Sequence, residues 1–123
     1  MRSVALLGAT GSIGQQTLDV IRREPKTLRL ESIAGGRRVD ELIAMAQEFQ
    51  VTSIGVTTSE DAATVRAALP HARVVVGDEG LAELAASSEI VVNAVVGFAG
   101  LTATLSALES GRRLALANKE SLV

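Results

Sequence analysis

Short apolar runs alternate along the chain with longer segments carrying spaced apolar residues, and this alternation limits the fold more than any other feature. The runs are Val4 to Leu7, Leu28 to Ala34, Ser53 to Val56, Arg73 to Val76, Ile90 to Val95 and Leu114 to Ala117. Their near-continuous Val, Ile, Leu and Ala content is the pattern of strands covered on both faces. The intervening segments read as helices. Ile13, Leu18 and Ile21 recur in the first, Ser12 to Glu24, which Pro25 stops. Val39, Leu42, Ile43 and Ala46 give i, i+3, i+4, i+7 spacing in the second. Ser59 heads a third, with Asp61 in its first turn and Pro70 at its end. Asp78 caps a fourth that runs through Ala86, and a fifth spans Leu101 to Ser110 before Gly111. Five β-α units closed by a sixth strand predict an α/β fold. It is a doubly wound, mostly parallel sheet of six or so strands with helices on both faces. Arg73 to Val76 reads as an edge strand.

Composition removes several function classes. The length of 123 residues fits one domain, and the absence of cysteine excludes disulfides, zinc–thiolate sites, iron–sulfur clusters and a cysteine nucleophile. Twelve basic residues against fourteen acidic ones argue against a nucleic-acid surface. Phe49 and Phe98, the only aromatics, make no stacking platform for bases. No apolar run is long enough to span a bilayer, so no membrane partner is expected. The first strand begins at Val4, which leaves no room for a signal or transit peptide and predicts a cytoplasmic location. His71 follows Pro70 in a turn and reads as exposed rather than catalytic. No carboxylate pair has a spacing that demands a metal.

The first strand runs directly into Gly8-Ala9-Thr10-Gly11-Ser12-Ile13-Gly14, and a helix follows. A glycine-rich turn between strand one and helix one is the context of a dinucleotide fingerprint, and it makes the predicted fold Rossmann-like. Gly8 permits the sharp exit from the strand. Gly11 removes a side chain where backbone must approach a pyrophosphate, and Gly14 lets the helix pack closely. The helix end then offers N–H groups and partial positive charge to phosphates. Thr10 and Ser12 add hydroxyl donors. The spacing is GxxGxxG, and without Gly-Lys-Ser/Thr it is not a nucleoside-triphosphate loop.

NAD-binding domains place an acidic residue at the end of strand two, on the ribose 2′-hydroxyl. This chain reads Ile33-Ala34-Gly35-Gly36-Arg37-Arg38-Val39 there, and Glu31 falls mid-strand. Guanidinium groups suit a 2′-phosphate, which favours NADP over NAD. The alternative is a solvated arginine pair answered by Asp40 and Glu41. Two later loops carry further candidates. Val96-Gly97-Phe98-Ala99-Gly100 follows the fifth strand, where ligands of doubly wound folds lie. Asn118-Lys119-Glu120-Ser121 follows the sixth and presents amide, cation and carboxylate together. A solvated loop accounts for that pattern equally well.

These residues also carry a family signature. Gly8 to Gly14 followed by Thr17-Leu18-Asp19-Val20-Ile21 closely resembles the start of the 1-deoxy-D-xylulose-5-phosphate reductoisomerase family. So does the ending Gly111 to Val123, whose Ala-Asn-Lys-Glu-Ser-Leu-Val string is highly specific, and Val96 to Leu101 matches the family's Val-Gly-x-x-Gly-Leu. The resemblance covers the whole chain. It implies NADPH as cofactor, with Mg²⁺ or Mn²⁺ in the full enzyme. It implies rearrangement of 1-deoxy-D-xylulose 5-phosphate and reduction to 2-C-methyl-D-erythritol 4-phosphate, a step of non-mevalonate isoprenoid synthesis. By that match Thr10, Gly11, Ser12 and Ile13 would hold the NADPH phosphates. Gly36, Arg37 and Arg38 would surround the 2′-phosphate. Asn118 and Glu120 would contact NADPH, and Lys119 the sugar-phosphate substrate. Ala9 stands where the family commonly has serine, and Arg38 where it often has asparagine.

The resemblance also implies that residues 1–123 are the NADPH-binding domain of a longer, homodimeric enzyme. Its metal-binding catalytic domain, lid and helical C-terminal domain would follow. This segment would then hold no metal ligand and no catalytic residue, and would be inactive alone. Two other readings compete. A dehydrogenase of the semialdehyde or homoserine kind shares a similar first domain, but Asn118-Lys119-Glu120 speaks against it. The other is a nucleotide-sensing module without catalysis.

Overall fold

The computed structural model describes residues 2–9, 11–35, 38–94 and 113–116, the side chains of Ser12 and of 113–116 excepted. The described elements follow one another as β1 (Arg2–Leu7), α1 (Ser12–Arg23), β2 (Leu28–Ala34), α2 (Val39–Phe49), β3 (Ser53–Val56), α3 (Ser59–Ala68), β4 (Arg73–Val76), α4 (Gly77–Ser87), β5 (Ile90–Asn93) and β6 (Arg113–Leu116). The expected fifth helix, 101–110, lies outside the described residues.

The strands form one sheet in the order β4-β3-β2-β1-β5-β6, and every pairing is parallel. The expected doubly wound sheet is therefore present. The chain builds outward from β1 to β4, then returns to the other side of β1 to add β5. Right-handed crossovers require the helix to change faces at that reversal. The cores show that change. Val4 and Leu6 of β1 pack with Leu18 and Ile21 of α1, Leu42 and Met45 of α2, and Ala62 and Val65 of α3. Ala5 and Leu7 point the other way and pack with Leu84 and Ala85 of α4. Period-two alternation in β1 thus serves two layers, and for that reason the strand reads as continuously apolar. β4 closes one edge and is half exposed, as an edge strand would be.

Three local details differ from the sequence reading. Ile13 is 40% exposed, not core. The stripe of α1 that faces the sheet is Gly14, Leu18 and Ile21, at i, i+4 and i+7, and Ile13 lies one residue off it. Asp78 does not cap α4. Gly77 turns the chain at φ +72, Val76 takes the N-cap, and Asp78 falls in the first turn beside Glu79. β5 ends at Asn93, short of the apolar run that suggested it.

α3 is capped by Thr58, whose hydroxyl accepts from the Asp61 N–H at 3.1 Å. Thr58-x-x-Asp61 is a variant of the capping box and was visible in the chain. Thr58→Ala is expected to lower stability by about 1 kcal/mol in a urea titration, with the slope of the transition unchanged.

Candidate functional site

The carboxyl ends of β1, β2 and β5 lie side by side. Leu7 is in register with Ala34 on one side and with Asn93 on the other. β1 and β5 form the switch point of the sheet, the place where connections depart in opposite directions and leave a crevice. Gly8 emerges there. Its φ of +91 is open to glycine alone at little strain, and a Cβ would come within 2.9 Å of the Ala94 carbonyl carbon. The turn is tied to the sheet by backbone. The Gly8 and Ala9 N–H groups both donate to the Ala34 oxygen, at 2.9 and 2.8 Å, and the Ala94 N–H donates to Leu7 at 2.8 Å.

Gly14 has a different reason to be glycine. A Cβ there would strike the Ala9 carbonyl oxygen and come within 2.6 Å of the Gly8 oxygen. The first turn of α1 therefore lies directly on the backbone of the loop that precedes it. Gly11 is open by contrast: its added Cβ would meet only the Gly8 oxygen, at 3.7 Å. Gly14, expected to bring the helix close to the sheet, is in contact with the loop backbone itself, and Gly11, expected where backbone approaches a pyrophosphate, is unobstructed.

α1 also ends differently from the other described helices. Gly11 is its N-cap, no side chain caps it, and no acidic residue lies in its first turn. α2 carries Asp40 and Glu41 in its first turn, α3 Glu60 and Asp61, and α4 Asp78 and Glu79. The three carboxylate pairs complement the positive ends of their own helices. At the switch point that positive end has no such complement, so it can act on an external anion.

The end of β2 carries no carboxylate among the described residues. Glu31 lies mid-strand, where β2 bulges against β1, and its carboxylate accepts from the Ser88 hydroxyl at 3.2 Å. Arg38 is the N-cap residue of α2, exposed, with its guanidinium 3.6 Å from Glu41. It lines a cleft of about 430 Å³ with Gln15, Glu41, Ala44, Met45 and Glu48, between α1 and α2. A second cleft of about 390 Å³ is lined by Arg38, Val39, Asp40, Glu41 and Asp61. Farther down the α1–α2 seam, Arg22 donates to Glu48 at 2.6 and 2.8 Å and to Asp19 at 2.7 Å. It also stacks 5.2 Å from the Phe49 ring centre. These donors hold the Glu48 carboxyl below the usual carboxylate range.

Of the candidate site residues, Gly8, Gly11, Ile13 and Gly14 come together at the switch point, with Ser12 opening α1. Arg38 lies on the neighbouring loop beyond β2. Thr10, Gly36, Arg37, Asn118, Lys119 and Glu120 lie outside the described residues, as does the loop 96–100. Asn93 was not anticipated. It is fully buried at the end of β5, and its signal was a single amide interrupting the apolar run Ile90 to Val95. His71 is exposed, as its turn suggested. Among the described residues no helix is long and apolar enough to cross a membrane. No group of three or more acidic or histidine side chains among them could hold a metal.

The family model for 1-deoxy-D-xylulose 5-phosphate reductoisomerase matches residues 4–123. The chain belongs to that family. Its reductoisomerase relatives include one from Bacillus cereus (strain Q1) that is 45% identical over 125 residues, all of this chain and 33% of the relative. A crystal structure of DOX-P reductoisomerase in complex with NADPH, fosmidomycin and magnesium covers 99% of this chain at 42% identity and a TM-score of 0.93, matching 31% of that chain. The Zymomonas mobilis reductoisomerase in complex with NADPH gives 35% identity and a TM-score of 0.91, over 98% of this chain and 33% of that one. The chain spans about a third of the length of the relatives it matches.

Proposed function

We propose that residues 1–123 form the NADPH-binding domain of a 1-deoxy-D-xylulose-5-phosphate reductoisomerase. The observation that carries this reading is the open positive end of α1 at the β1/β5 switch point, reached through Gly8 and Gly11. The pyrophosphate would lie against the first turn of α1, over Gly11, Ser12 and Ile13, with the Thr10 hydroxyl adding a donor. Gly36, Arg37 and Arg38 would take the adenosine 2′-phosphate. Asn118 and Glu120 would orient the nicotinamide half and Lys119 would hold the anionic substrate. NADPH supplies the hydride that reduces a carbonyl carbon of the rearranged sugar phosphate. This chain's residues bind and orient it, so that the nicotinamide is presented at the carboxyl edge of the sheet. Mg²⁺ or Mn²⁺ would act as a Lewis acid on substrate oxygens, held by acidic residues in the part of the family's length that this chain does not span. The family reading places the protein in the cytoplasm, as a homodimer at full length, in isoprenoid synthesis.

The test separates binding from turnover. The 123-residue chain is expected to shift NADPH fluorescence saturably and to leave 1-deoxy-D-xylulose 5-phosphate unchanged when Mg²⁺ is supplied. The absence of any NADPH binding would refute the first half. Measurable oxidation of NADPH dependent on the sugar phosphate would refute the second.

A further inference from the structure

We propose that Glu41 is a specificity-determining residue that competes with the adenosine 2′-phosphate for the Arg38 guanidinium. The inference rests on the dinucleotide reading above. Arg38 is an awkward cation: it stands at the N-cap of α2, where the helix dipole opposes positive charge. Glu41, one turn on, answers it at 3.6 Å, and both side chains are largely exposed, at 67% and 49%. The pair can therefore open without burying or stranding a charge. Both residues line the cleft toward α1 and the cleft toward α3. Arg38 is the one cation among the described residues lining either, and Asp40, Glu48 and Asp61 are the other carboxylates there. A phosphate dianion arriving at Arg38 meets a guanidinium already engaged, and must then stay beside the carboxylate it displaced. A ribose 2′-hydroxyl makes neither demand. Glu41 should thus weaken NADPH while leaving NADH untouched, and most of its effect should pass through Arg38.

Dissociation constants for NADPH and NADH at fixed ionic strength test this, on the 123-residue chain and on Glu41→Gln, Arg38→Ser and the double variant. Glu41→Gln is expected to tighten NADPH roughly two- to fivefold, the range of an exposed ion pair. It should leave NADH unchanged and lose most of its effect in the Arg38→Ser background. No tightening, equal tightening for NADH, or the same tightening without Arg38 would overturn the proposal while the NADPH reading stands. Failure of the unmutated chain to bind NADPH at all would overturn both.

Discussion

Gly14→Ala is expected to unseat the glycine turn, destabilising the fold by about 3 kcal/mol and abolishing measurable NADPH binding. The usual Gly-to-Ala exchange inside a helix is favourable, because alanine loses less conformational entropy. Here the sign reverses. The new methyl would strike the Ala9 carbonyl oxygen and crowd the Ala9 carbon and the Gly8 oxygen within 2.6 Å. All three are backbone atoms, so no side chain can swing aside. Gly8 is held in place as well, since its N–H and that of Ala9 both donate to the Ala34 oxygen. The remaining escape is to lift α1 off the loop, which draws Leu18 and Ile21 out of the core and moves the helix end proposed to hold the phosphates. Urea unfolding and NADPH titration of the same sample check both halves. A variant as stable as the parent, with unchanged affinity, would mean that α1 does not sit on the turn as described.

The second large effect concerns cofactor choice. Replacing both arginines, Arg37→Ser with Arg38→Ser, should weaken NADPH by about ten- to a hundredfold, the worth of charge-assisted hydrogen bonds to a phosphate. NADH, without the 2′-phosphate, should bind as before. Glu31, the one carboxylate in β2, is engaged with Ser88 in mid-strand and cannot reach a ribose at the strand's end. Arg38 is paired with Glu41, so the arginine–carboxylate alternative weighed for this loop is partly realised. An exposed pair at 3.6 Å is weak enough to yield to a dianion.

Most of the fold could be read directly in the chain, because strands buried on both faces leave unbroken apolar runs. Val4 to Leu7 is such a run, and it lies in β1. Helix faces were harder. Ile13 looked like core because it is large, whereas Gly14 occupies the buried position by having no side chain at all. A hydrophobic pattern cannot register a residue whose contribution is the space it leaves. The same limit applied to Asn93, where a lone amide after three apolar residues marked the switch point less loudly than the glycines across from it. Thr58 was passed over for Ser59 because either hydroxyl heads the segment; only the Asp61 N–H decides between them. The glycine turn was legible because Gly8 and Gly14 each have a separate conformational or steric cause.

On the proposed reading the loop beyond β2 holds a 2′-phosphate beside an α1 end that holds a pyrophosphate. The most direct measurement is the ratio of dissociation constants for NADH and NADPH on the unmutated chain, at one ionic strength. NADPH is expected to bind at least about tenfold more tightly. Equal affinities for the two cofactors would contradict the account.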